Sequence, residues 1–384
     1  MTDTSVATVD PRRVSRYIIG GTGILLAVGV SVVSMTIGPS LGDTGLSLVG
    51  FLLREGFFVA LGLVAFGLCY QISSHQLNRL SPLIFAGSVM ALLAVSMIGT
   101  SVNGSQRWIS LGALTVQPSE IYKFAVCVAL PWALIRYSHA YHAGIIWLAS
   151  LVGLGFILMQ PDLGTSIVVG LISLSIMWTW GLERKMLRSA LIVGTVGGLG
   201  SIMVMDYQRK RIMDIYFSSW CDPLGACYQV NQSRIGIGSG GLFGTGPAHA
   251  RSLWGFLPNA HTDFIISVIG EMFGLVGVTL VVGLFVFLIY FCGQAAMQAR
   301  DLPSRLIAVG GTVWIGAEAL INIAQAVGIF PVTGIPLPLV SYGGTAMVVN
   351  LAILGLMANI AAHQGLRRSG KLSLPRRSAS TKRS

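Results

Sequence analysis

The stretch Phe256–Tyr290, FLPNAHTDFIISVIGEMFGLVGVTLVVGLFVFLIY, passes from polar to apolar within a few residues. From Phe264 onward about 25 residues are greasy enough to cross a hydrocarbon core, which takes roughly 20. Upstream, back to about Asp206, the chain is polar, glycine-rich and basic. Asp263 therefore sits where a long aqueous loop enters a membrane, beside His261 and Thr262. Thr and Asp are favoured helix caps, and an acid suits a helix N-terminus, so a cap is the ordinary reading. The sharper reading is a catalytic carboxylate facing a substrate at the membrane surface.

Composition supports the membrane. Of 384 residues 53% are hydrophobic and only 10% charged, where a soluble domain carries about 25% charged residues. Ten spans emerge from a window of about 19 residues, at 17–37, 47–72, 80–99, 119–136, 143–159, 164–181, 189–205, 264–291, 306–329 and 345–363. The expected fold is an all-α polytopic membrane protein. A segment 1–16 precedes the transmembrane domain 17–363, which includes the large loop 206–262, and a basic tail 364–384 follows. Arg12, Arg13 and Arg16 precede the first span, so both termini are expected in the cytoplasm. Arg79, Arg136, Arg184, Lys185, Arg188, Arg300 and Arg305 fall in inner loops accordingly. The net charge of +11 thus follows membrane topology and gives no reason to invoke nucleic acid. The first apolar run is too long for a cleaved signal peptide. Cys221 and Cys227 flank a turn in the long loop; an oxidising compartment permits a disulfide there, and free thiols are the alternative.

Charged and polar residues gather at one side. Arg54 with Glu55 begins the second span, either as a functional pair or as one reaching for the interface. Thr100–Ser119, carrying Arg107, reads as a lid or re-entrant segment that delivers the chain to Pro118 at a helix start. Glu120 and Lys123, three apart, share a helix face, as an ion pair or as reacting groups. Asp162 precedes another helix start, where a cap is the plainer role. Arg209, Lys210 and Arg211 form a basic cluster able to hold pyrophosphate or simply to touch lipid headgroups. Gly236–Gly246 resembles a dinucleotide fingerprint only superficially, since no strand–helix–strand unit surrounds it; flexible backbone approaching a bulky polar ligand is the better account. Glu318, Asn322 and Gln325 make one helix face polar, a pattern that usually joins transmembrane helices. Pro331–Gly344 is irregular and needs protein or water around it at membrane depth.

These motifs resemble the SEDS family (shape, elongation, division and sporulation) of bacterial cell-wall assembly. The matches are QRWISLG at Gln106–Gly112, QPSEIYK at Gln117–Lys123, QPDLGTS at Gln160–Ser166 and YQRKRI at Tyr207–Ile212. DPLG at Asp222–Gly225, IGSGGLFGTG at Ile237–Gly246, HTDFI at His261–Ile265 and TGIPLPLVSYGG at Thr333–Gly344 complete the set. IGSGG and IPLPLVSYGG look more like the rod-elongation branch, RodA, than the division branch, FtsW. Asn259, Met272 and Ala226 depart from the family pattern.

The resemblance implies about ten transmembrane helices with a large outer loop between spans seven and eight. It implies polymerisation of lipid II into glycan strands at the outer face of the bacterial cytoplasmic (inner) membrane. Such proteins work beside a class B penicillin-binding protein and other proteins of the rod complex. Asp263 matches the family's proposed catalytic aspartate and is the expected base. Arg107, Lys123, Arg209, Lys210, Arg211 and His261 are candidates for substrate and pyrophosphate, with Arg54, Glu120, Asp162 and Ser341 supporting the cavity. A divalent cation, Mg or Mn, can bridge Asp263 to pyrophosphate, although no ligand cluster demands one. A lipid II flippase is the rival reading, with Glu271 and Glu318 as its residues.

Overall fold

The computed structural model describes residues 10–44, 48–102, 105–112, 114–137, 140–204 and 226–370. Arg209, Lys210, Arg211 and Cys221 lie outside them, as do most of the N-terminal segment and the end of the tail.

Long apolar runs dictate long helices. Twelve appear among the described residues: α1 (Pro11–Thr44), α2 (Leu48–Gln71), α3 (Ser74–Ile98), α4 (Pro118–Arg136), α5 (Ala140–Ser150) and α6 (Val152–Met159), then α7 (Leu163–Trp180), α8 (Arg184–Val204), α9 (Ala226–Ser239), α10 (Ile265–Gln298), α11 (Leu302–Val327) and α12 (Gly344–Gly370). Eight of these are long and apolar enough to cross a membrane: α1 to α4, α7, and α10 to α12. The expected fifth span is split at Leu151 into α5 and α6, and α8 occupies the place of the seventh. The large loop is not wholly irregular, because α9 within it packs against α10 and α11.

Burial sorts the helices. In the most apolar stretch of α12, 83% of residues are buried, with 72% for α4 and 61% for α11. The corresponding share is 22% for α2 and α3 and 28% for α10. The first three form the centre; the others present apolar faces that suit lipid. Polar side chains follow the centre, since only there can other protein groups satisfy them.

One feature departs from an all-helical chain. Residues read as a lid or re-entrant segment form a three-stranded antiparallel sheet: β1 (Thr100–Val102), β2 (Ser105–Leu111) and β3 (Leu114–Val116), in that order. Ile109 pairs with Val116 and Leu111 with Leu114, and Gly112 turns the chain at φ +66°. Strand alternation places Arg107 and Ile109 on one face and Trp108 on the other.

The second departure lies in α10, whose helix breaks at Gly274 (φ 66°, ψ −162°). A break inside a span leaves backbone groups to be satisfied within the protein. The glycine-rich run does this. Thr245 N–H donates to Glu271 O at 2.8 Å and Gly246 N–H to Met272 O at 3.1 Å, while Leu275 and Val276 N–H donate to Gly241 O (2.9 Å) and Leu242 O (3.2 Å). Side chains would block this approach: a Cβ at Gly240 would lie 1.9 Å from Gly270 O, and one at Gly244 2.1 Å from Met272 O. These glycines bring backbone to the backbone of a broken helix, where the sequence had suggested approach to a ligand.

Candidate active site

Asp263 is placed by two elements. Asn259 adopts φ 57°, a left-handed conformation that Asn tolerates better than most residues. Its carbonyl accepts from the N–H groups of Thr262 (3.2 Å), Asp263 (3.0 Å) and Phe264 (3.4 Å), which closes a turn just before α10. From the other side, Asn322 and Gln325 of α11 each donate a side-chain N–H to the Asp263 carbonyl at 3.0 Å. The same amides hold the proline-rich loop. Asn322 Nδ2 donates to Ile335 O at 2.8 Å, and Gln325 Oε1 accepts from Thr333 N–H at 3.1 Å and Thr333 Oγ1 at 3.0 Å. The polar face of α11 thus fixes two irregular segments, beyond the helix association its spacing suggested.

The cap position of α10 falls to Phe264, whose side chain makes no cap bond, and Asp263 stands one residue before it. It lines a cleft of about 340 Å³ together with Arg107, Trp108, Gln117, Gln229 and Tyr342. Arg107 is buried and anchored: its Nε donates to Gln160 O at 3.2 Å, Nη2 to Pro161 O at 2.5 Å, and Nη1 lies 3.7 Å from Asp162 Oδ1. A Cβ added at Gly334 (φ +75°) would stand 3.9 Å from Arg107 Nη1 and 4.0 Å from Asp263 Oδ2. One cationic and one anionic side chain therefore flank this glycine in a cleft that a ligand can enter.

The other candidates take varied places. Asp162 caps α7 by accepting from Thr165 N–H (3.2 Å) and Thr165 Oγ1 (2.9 Å), so it is cap and Arg107 partner at once. Arg54 Nη2 donates to Thr115 Oγ1 at 2.9 Å, and Thr115 lines the cleft. Ser341 Oγ accepts from Leu337 N–H at 3.0 Å, bracing the proline loop. His261 packs with Phe51 and Tyr342, at ring-centroid distances of 6.1 and 5.9 Å, and its carbonyl accepts from Tyr342 N–H. Burial there pulls its imidazole below the ordinary value, which favours the neutral form.

Lys123 does not reach the cleft lining. It is buried between α4 and α11, with Nζ 2.7 Å from Glu120 Oε2 and in direct contact with Glu318 Oε1. Its place within a span, three residues after Glu120, marked an ion pair; only the packing of α11 supplied the second acid. Gln229, Gln117 and Asn259 were not singled out for the cleft, because neutral amides carry no signal of function in a sequence. Glu271 accepts from Arg251 N–H (2.8 Å) and Ser252 N–H (3.0 Å). Cys227 is disulfide-bonded, whereas Cys69, Cys127 and Cys292 are free.

Among the described residues no group of three or more His, Cys, Asp or Glu can hold a metal ion. Among the described residues that line the cleft, Asp263 is the one carboxylate, and one carboxylate does not by itself make a protein-held site for a divalent cation.

The fold and cleft define a multi-pass membrane protein with a charged pair let into one end of its helical bundle. The chain matches the family model described as cell cycle protein, FTSW_RODA_SPOVE, over residues 17–366. It belongs to that family. It is 36% identical over 326 residues to the peptidoglycan glycosyltransferase MrdB of Escherichia coli K12, covering 82% of this chain and 87% of that one. It is 33% identical over 351 residues to the probable peptidoglycan glycosyltransferase FtsW of Aromatoleum aromaticum, covering 88% and 85%. Among solved structures, a chain from a peptidoglycan synthase complex that coordinates polymerization and crosslinking superposes with TM-score 0.73 at 27% identity, covering 90% of this chain and 98% of that one. The rod shape determining protein RodA of Thermus thermophilus gives TM-score 0.65 at 27% identity, covering 90% and 96%.

Proposed function

We propose that this protein is a peptidoglycan glycosyltransferase that polymerises lipid II, with Asp263 as the general base. The observation that carries the assignment is the pairing of Asp263 and Arg107 across Gly334 in one open cleft. An acceptor sugar hydroxyl attacks the anomeric carbon of the donor, and its proton passes to the Asp263 carboxylate. A new glycosidic C–O bond forms as the anomeric C–O bond to phosphate breaks, and the prenyl pyrophosphate leaves with its negative charge. Arg107, held by the α6–α7 turn, supplies fixed positive charge toward that group. Arg209, Lys210 and Arg211 are proposed as further pyrophosphate contacts. Asp263 is the one carboxylate among the described residues of the cleft, and no step is routed through a divalent cation.

The cleft faces the exterior of the bacterial cytoplasmic membrane in this reading, with both termini and the tail 364–384 inside. The segment 1–16 and the domain 17–363 divide the rest. A class B penicillin-binding protein is the proposed partner, since a solved relative belongs to a complex that joins polymerization and crosslinking. Elongation is preferred to division on the IGSGG and IPLPLVSYGG motifs. The flippase reading loses support because Glu271 is bound by two backbone amides and Glu318 by Lys123.

The test uses purified protein and labelled lipid II, with products resolved on a gel. Wild type should make long glycan chains and Asp263→Asn none. Normal polymer from that variant overturns the base assignment. Wild type that moves lipid II across vesicles without polymerising it, partner included, overturns the enzyme.

A further inference from the structure

The cluster of Glu120, Lys123 and Glu318 takes no part in the cleft chemistry. Two carboxylates meet one ammonium, and all three side chains are at most 3% exposed. If both acids were ionised, the cluster would carry one negative charge in excess. Among the described residues the surroundings add no compensation. The ring of Trp314 lies 5.3 Å from Lys123 Nζ and presents its electron-rich face. Helix α4 also packs against α3, α5, α7, α12 and β2. The outside charge from those elements that acts on Glu120 is Asp162, itself negative, with Arg107 beside it as its own partner. Glu318 Oε2 is buried with no hydrogen-bond partner, so negative charge on that oxygen would go uncompensated. Buried groups without compensating charge neutralise by binding a proton.

We propose that Glu120 and Glu318 share one bound proton over Lys123, and that this neutral cluster positions Asp263 through α11. Glu318 shares its helix face with Asn322 and Gln325, the residues that hold the Asp263 carbonyl. The ion pair fixes α11 against α4 and so fixes the height of those two amides. All three members of the cluster are positioning residues. The positioning half rests on Asp263 as the base; the proton half stands without it.

Infrared spectroscopy of the purified full-length protein, exchanged between H₂O and D₂O, tests the proton. Wild type should show the C=O stretch of a buried protonated carboxylic acid. That band should vanish in Glu318→Gln and equally in Glu120→Gln, because whichever acid remains ionises against Lys123. Absence of the band from wild type, or its survival in either variant, overturns the shared proton whatever the protein's activity. Polymerisation tests the positioning. Glu120→Gln leaves the Lys123–Glu318 pair between α4 and α11 and should stay within about twofold of wild type, while Glu318→Gln removes that pair and should fall more than tenfold. A Glu318→Gln variant that elutes as folded protein and polymerises like Glu120→Gln overturns the link to Asp263.

Discussion

Arg107 and Asp263 both line an open cleft beside Gly334, whereas Lys123 and its two glutamates are sealed between α4 and α11. Both sites are made of the same few residue types, and both lie in a chain with little charge to spare. Access separates them. In the cleft, irregular loops leave room between opposite charges, so a ligand can enter. In the sealed cluster the charges meet directly, and their energy goes into holding two helices in register. The polar face of α11 links the two, with Glu318 in the sealed cluster and Asn322 and Gln325 on the loops of the open one.

This contrast can be broken from the cleft side first. Asp263→Asn should lower the rate of polymerisation by about 10²–10⁴-fold, the usual worth of a general base, with thermal stability unchanged. Gly334→Ala is the next largest. It adds a methyl group between Arg107 and Asp263 and strains a backbone at φ +75°, by about 1–3 kcal/mol. Gel-resolved rates should fall at least tenfold in protein that still elutes as folded.

Smaller effects sharpen the link. Asn322→Ala and Gln325→Ala each remove donors to the Asp263 carbonyl, a loss of about 1–3 kcal/mol. Steady-state kinetics should show kcat falling more than KM rises, because the base moves and the substrate contacts stay. Gly240→Ala tests the broken helix instead. Its Cβ would stand 1.9 Å from Gly270 O, so the thermal midpoint should drop while the chemistry of surviving protein is spared.

The smallest effect concerns His261. Its folded-state value lies below the ordinary 6.5, so on acidification the unfolded chain binds the proton first. Stability is therefore held above 6.5 and lost as pH falls below it. Thermal midpoints measured on either side of 6.5 should differ in wild type and differ less in His261→Phe.

How much of this was legible in the sequence varies by residue. Pro118 marked the start of α4, and the spacing of Glu120 and Lys123 put both on one helix face, as an ion pair or as reacting groups, because helix periodicity is local; the packing makes them an ion pair. Asp162 was read most plainly as a cap, and it proves also to be the partner of Arg107. The sheet over Thr100–Val116 was read as a lid or re-entrant segment without strands, since its strands are short and their pairing depends on a turn. The glycine run was read as a ligand approach, because nothing local shows that α10 breaks at Gly274 to receive it.

By itself, then, the sequence determined a membrane-spanning helical chain, the places of most of its long helices and the acid at the mouth of α10. Hydrophobic runs and caps act over a few residues and can be read in order. Only the tertiary structure decided that Asp263 and Arg107 share a cleft beside Gly334, and that Lys123 serves two acids. Those outcomes depend on side chains from α4, α10, α11 and β2 meeting in space, and chain order does not specify such meetings.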